Sequence, residues 1–119
     1  MGKIKINVHP LSVNKCWQGR RFKTKDYLNY EEEVLYLIGR NEMITGYVGV
    51  EYDFYIKNFK LSDVGNLEKP LTDIIVKAGL IEDDRFIITM KLTKHKIAKY
   101  IKEYIVIRIY HYNNVDGLV

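Results

Sequence analysis

Gly46-Tyr47-Val48-Gly49-Val50-Glu51-Tyr52-Asp53-Phe54-Tyr55-Ile56-Lys57 is the stretch on which the fold turns. Val48, Val50, Tyr52, Phe54 and Ile56 take alternate positions, while Glu51, Asp53 and Lys57 point the other way. Alternation of that length marks a strand with one face on a core and the other toward water. Three further stretches repeat the pattern. Ile4, Ile6 and Val8 share a face near the start. Phe86, Ile88, Met90 and Leu92 oppose Arg85, Thr89 and Lys91 in 85–92. Ile105, Ile107 and Ile109 oppose Tyr104, Arg108 and Tyr110 in 103–110.

Helical spacing lies between these strands. Residues 28–39 put Tyr30, Val34, Leu35, Leu37 and Ile38 mostly on one side, behind Glu31-Glu32-Glu33, acids that suit a helix N-terminus. Residues 66–78 carry Leu67, Leu71, Ile74, Ile75 and Ala78 as an amphipathic stripe, with Asn66 as cap and Gly79 as stop. Pro70 costs little if that helix starts at 67, and predicts a kink if it starts nearer 63. The order is β-α-β-α-β-β with short links and no repeat. It predicts one α+β domain over 1–119, a mixed sheet with helices on one face. The link 93–102 is long for a hairpin and strongly basic: a basic arm or a loosely ordered loop.

The chain has 119 residues, 47% of them apolar, which excludes a disordered chain and fits one core. A lone cysteine, Cys16, excludes an internal disulfide and a four-thiolate zinc site, and reads as an incidental thiol. No signal-peptide stretch opens the sequence, and no run nears the roughly 20 apolar residues of a membrane span. A soluble protein of a reducing compartment is expected. The net charge of +4 is unevenly spread. Lys15, Arg20, Arg21, Lys23 and Lys25 give residues 15–25 a charge of +5. Lys91, Lys94, Lys96, Lys99 and Lys102 give 91–102 the same, so the remainder is −6. Two readings fit the blocks: solvated loops, or a polyanion-binding surface beside a carboxylate cluster.

That cluster lies in 62–84, where Asp63 precedes the second helix and Asp83-Asp84 follow it. If the two ends met, they would offer hard oxygen ligands to Mg²⁺, with Lys69 beside them to pair with a carboxylate or a phosphate. Capping and turn formation by the same acids is the alternative. Asp63, Asn66, Lys69, Asp73, Ala78-Gly79 and Asp83-Asp84, with Pro10-x-Ser12-x-Asn14 upstream, form a pattern over nearly the whole chain. It resembles the RusA family of Holliday junction resolvases, small homodimeric endonucleases of phages and prophages.

The resemblance implies Mg²⁺-dependent paired nicking of four-way or branched DNA in the bacterial cytoplasm, with no membrane. It implies Asp63 and Asp84 as catalytic, metal-binding carboxylates and Lys69 as the charge on the phosphate; Asp83, Glu82 or Glu68 are the understudies for a further metal ligand. Asn14, Asn66 and Asp73 support the motif. Lys15, Arg20, Arg21, Lys23, Lys25, Lys94, Lys96 and Lys99 would grip DNA. One position departs: the family's Asp-x-Asp reads Asp63-x-Gly65 here. In an extended segment the two would lie on one side, about 6.5–7 Å apart. Without the second carboxylate, weak Mg²⁺ binding and slow or absent cleavage are expected; the alternative is a catalytically dead, structure-specific DNA-binding protein. Tyr47, Tyr55, Tyr104 and Tyr110 mark an outer sheet face for a partner subunit to cover. Trp17 reads as a half-buried aromatic or a junction wedge. His95 and His111 have no partner at ligand spacing, and His9 beside Pro10 reads as structural.

Overall fold

A computed structural model describes residues 3–19 and 22–113. The chain runs β1 (Lys3–Ile6), β2 (Trp17–Gln18), β3 (Phe22–Lys23), α1 (Lys25–Ile38), β4 (Val48–Ile56), α2 (Val64–Lys77), β5 (Ile87–Lys96) and β6 (Tyr104–His111). Short 3₁₀ turns at Val13–Lys15 and Asp84–Phe86 precede β2 and β5. The main sheet has the order β1-β6-β4-β5, antiparallel except for the parallel pair β4–β5. The expected mixed sheet of an α+β domain is therefore present, with a small β2–β3 hairpin added before α1.

The alternating apolar residues carry the packing. Val48, Val50, Tyr52, Phe54 and Ile56 of β4 join Ile105, Ile107 and Ile109 of β6 in one buried cluster with Val34 of α1 and Leu71, Ile74 and Ile75 of α2. The other sheet face stays polar and aromatic. Tyr104, Tyr55 and His95 stack across three strands, each step 4.3 Å and 12° between planes. Tyr104 and Tyr55 are paired in register, as are Tyr55 and His95. Tyr110 lies over Gly49, where an added Cβ would come within 2.3 Å of the ring. Tyr47 lies outside the strand and packs on Phe86, 5.5 Å between centroids.

Several expected boundaries shift. Thr24 caps α1 by accepting from the Tyr27 N–H at 3.1 Å, so the helix starts at Lys25 and the glutamates fall in its middle. Glu31 turns inward, 2.9 Å from Lys23 and 2.8 Å from Lys77, and ties β3 and the end of α2 to α1. Burial opposes its charge, but those two lysines hold its carboxyl below the ordinary glutamate value. Asp63, not Asn66, caps α2, and Pro70 lies buried inside the helix. Gly79 at φ 77° closes it, with Leu80 N–H on the Ile75 carbonyl and Gly79 N–H on that of Val76, a Schellman closure. The link between the last strands shortens because β5 runs on to Lys96. Lys91, Lys94 and Lys96 thus belong to a strand, and β5 meets β4 rather than β6.

Candidate nucleic-acid interface

β4 and β5 are parallel and end together, Ile56 opposite Lys96, and α2 departs from the same edge. The strand β6 begins there and the chain after β1 passes it, because both run antiparallel to their neighbours. Ligands of open sheets collect outside the carboxyl ends of parallel strands. A cavity of about 260 Å³ lies here, lined by Asp63, Asn14, Asn58 and Asn66 together with Leu11, Ile56 and Leu67.

The frame of this cavity is fastened from several sides. Glu103 accepts from His9 through one carboxylate oxygen and from the Lys57 N–H, at 2.8 Å, through the other. Those contacts hold its carboxyl below the usual range against the opposing effect of burial. Lys94 takes a position of β5 whose neighbours Met90 and Leu92 pack on the core. Its ammonium donates to the carbonyls of Phe59 (2.6 Å) and Ser62 (3.0 Å) and lies over the Phe59 ring. An inward lysine reaching out to carbonyls anchors the link that carries Asn58 and leads into α2. Asp63 spends one oxygen on the Gly65 N–H at 2.9 Å.

A second group lies further along α2. Lys69 is 2.8 Å from Asp73 and 3.5 Å from Asp84, and all three are substantially exposed. The Asp73 hydrogen bond, ahead of the charge of Asp84, holds the Lys69 ammonium above its ordinary pKa. Asp83 is held below the carboxylate range, first by its hydrogen bond with Asp84 and then by the Arg85 N–H. Glu68 accepts from Thr72 at 2.6 Å, and Thr72 meets Tyr52 at 2.9 Å, so this carboxylate is drawn to the core.

The crossover explains why Asp63 and Asp84 share no partner. Asp63 stands where β4 and β5 end, and Asp84 stands just before β5 begins. The expected extended Asp63-x-Gly65 segment is instead a cap and first turn, since the carboxylate folds onto the Gly65 N–H. A side chain at position 65 would press on Asp63: an added Cβ comes within 3.3 Å of Asp63 Oδ1, so that carboxylate would have to shift by a few tenths of an ångström. Of the expected DNA-gripping cations, Lys15, Lys25, Lys96 and Lys99 are exposed. Lys23 is committed to Glu31 and Lys94 to its two carbonyls, while Arg20 and Arg21 lie outside the described residues. Trp17 is half-exposed and meets Tyr27 edge-on at 5.7 Å. His95 pairs with Asp53 at 2.6 Å. Cys16 is fully buried, and burial, with the charge of Asp73 second, pushes its thiol up to about 11.

Sequence reasoning missed Lys57 and Lys60. They line a second groove of about 550 Å³ with Lys96, next to the polar cavity and sharing Asn58 and Leu61 with it. Their signal is spatial: β4–β5 pairing brings residues 57–60 beside Lys96, and no local charge run announces it.

The chain matches the family described as Endodeoxyribonuclease RusA over residues 9–110. It belongs to the RusA family. The match spans every element from the cavity wall at His9 through to Tyr110 of β6. RusA proteins are endonucleases that resolve Holliday junctions and act on branched DNA. No curated protein matches the chain. No helix among the described residues is long and apolar enough to cross a membrane.

Nucleases of this family are typically metal-dependent. The side chains present here do not fit that role as they stand. Among the described residues no three of His, Cys, Asp or Glu converge to hold a cation. Asp84 instead faces the Lys69 ammonium, which it shares with Asp73.

Proposed function

We propose that this RusA chain binds four-way or branched DNA, and that its cleavage is weakened or lost because position 65 supplies no carboxylate. The observation that supports this is Gly65 itself, exposed in the first turn of α2 with its N–H held by Asp63 and no side chain to offer a ligand. Asp63, Asp84 and Lys69 occupy the family's catalytic positions in this reading, with Asp83 as an understudy ligand and Mg²⁺ as the family's ion, and the separation of Asp63 from Asp84 adds to the case for weakened cleavage. The whole chain, 1–119, acts as one domain, and Lys15, Lys25, Lys96 and Lys99 join Lys57 and Lys60 against phosphates. Affinity then falls steeply with salt as counterions are released.

A homodimer fits the two strands that resolution must cut. The stacked face of Tyr104, Tyr55 and His95 is the surface assigned to the partner subunit. The setting is the cytoplasm of a phage-bearing bacterium.

Nicking of a synthetic four-way junction in Mg²⁺ tests the reading. The native chain should bind the junction and nick it slowly or not at all. Gly65→Asp should nick faster by roughly a hundredfold, the scale of one electrostatic contact to a transition state. Equal and robust rates for both would overturn the assignment of Gly65.

A further inference from the structure

The polar cavity beside Asp63 is larger than any capping role requires. It measures about 260 Å³, just below the roughly 300–1,000 Å³ that takes a drug-sized ligand, and so suits one small planar group. Three asparagines, Asn14, Asn58 and Asn66, are among its lining residues. Among the described residues none of these side-chain amides has a hydrogen-bond partner in the protein. Each offers a paired donor and acceptor, the complement of a nucleobase edge. Buried Leu11, Ile56 and Leu67 supply apolar wall for the faces of a ring.

Charge disfavours the competing occupants. Asp63 and Glu103 both border the cavity against one lysine, Lys15, and His9 is already paired with Glu103, so a phosphate inside it would meet more negative charge than positive. A cation would find only those two carboxylates, and both oxygens of Glu103 are already taken by His9 and the Lys57 N–H. A neutral, planar, hydrogen-bonding group remains. The adjoining groove says what such a group is attached to: Lys57, Lys60 and Lys96 line it, and Asn58 and Leu61 belong to both cavities. Phosphates on the lysines and a base among the asparagines describe one nucleotide strand.

We propose that this cavity takes one unpaired base of a bound strand, and that Asn14 and Asn58 read its edge. The inference rests on the branched-DNA reading above and adds the source of base discrimination. A branch point favours it, because bases there lose stacking partners and cost less to extrude. The pinned rim favours it too: Lys94 and Glu103 hold the link and the loop in place before any ligand arrives, which spares ordering cost on binding.

The test uses the full chain and four-way junctions carrying 2-aminopurine at each nucleotide around the branch point. No Phe, Tyr or Trp lines the cavity, so a base drawn into it escapes stacking and its fluorescence rises. One position should brighten severalfold on binding. At that position, affinity should depend on base identity by about tenfold or more, the scale of a bidentate amide contact. Asn14→Ala and Asn58→Ala, both at exposed residues, should reduce the dependence to under about twofold and leave the salt slope unchanged. Junction binding with no brightening, or full base dependence in both variants, overturns this inference alone. Absence of salt-sensitive junction binding by the native chain overturns it together with the proposed function.

Discussion

Helix α2 carries two polar sites of opposite character. At its amino end, Asp63 and Asn66 border a cavity whose walls are pinned by His9–Glu103 and by Lys94 on two carbonyls, while its carboxamides stay unpartnered. Two turns on, Lys69, Asp73 and Asp84 satisfy one another in the open. The first site is held by contacts around its rim and keeps its amides unpaired, and the second is exposed and already neutralised. Residues contiguous in the family motif are thus divided between a place prepared for a ligand and a place that has consumed its own charges. The difference teaches that a motif's spacing along the chain does not measure its convergence in space.

Removing the support common to both sites gives the largest effect. Leu71 is fully buried in the core beneath α2, between the two sites in sequence. Leu71→Ala should cost about 2–5 kcal/mol by transfer and cavity terms. Thermal unfolding should fall by roughly 10 °C or more. A loss below about 1 kcal/mol would mean that α2 is not held by this packing.

Lys94 separates the two sites more finely. Lys94→Met keeps the stem and removes the ammonium from the Phe59 and Ser62 carbonyls. The cost should be about 1.5–3 kcal/mol, the range for hydrogen bonds to a charged group. Amide exchange should speed in residues 58–63 and stay unchanged around Asp84. Uniform acceleration along α2 would break the contrast between a pinned and an unpinned end.

Glu31 adds a pH signature. Its carboxyl is held below the ordinary value by Lys77 and Lys23, against burial. The stabilisation is therefore complete above its unfolded pKa of about 4.3 and is lost as pH falls through the lower folded value. Urea unfolding of the native chain should show this acid loss, and Glu31→Gln should flatten it while costing about 1–2 kcal/mol at pH 7. An unaltered acid limb in the variant would remove Glu31 as its source.

Much of this architecture was legible, and the misses have physical causes. The strands were read from period-two alternation, which survives because β4 and β6 bury one face only. The start of α1 was missed because Thr24 caps it with Tyr27, not Glu or Gln, three residues on, so no capping box advertises the turn. Lys94 read as a DNA contact because charge does not reveal that an inward strand position can place an ammonium on carbonyls. Asp63 and Asp84 looked like one site since both flank α2. Only the parallel pairing of β4 with β5, which composition cannot signal, sends the chain across the sheet between them. The same pairing assembles Lys57, Lys60 and Lys96, three cations from two separate segments.

The smallest expected effect is the sharpest test of the contrast. Lys69 and Asp73 are four apart on α2, but the lysine comes first, the less favourable order against the helix dipole. Both side chains are about half exposed, so solvent screens what remains. Asp73→Asn should change stability by no more than about 0.5 kcal/mol at pH 7. The raised Lys69 pKa sets the sign with pH: its small contribution is whole below the unfolded value of about 10.4 and fades as pH rises through the folded one. Cys16 gives an independent readout in the same variant. Its thiol is raised mainly by burial and only second by Asp73, so Asp73→Asn should lower it slightly and leave it unreactive toward iodoacetamide at pH 8. A loss above about 1.5 kcal/mol, with Cys16 becoming reactive, would show that the Lys69 group is as firmly built as the cavity, since exposed pairs alone do not reach that size.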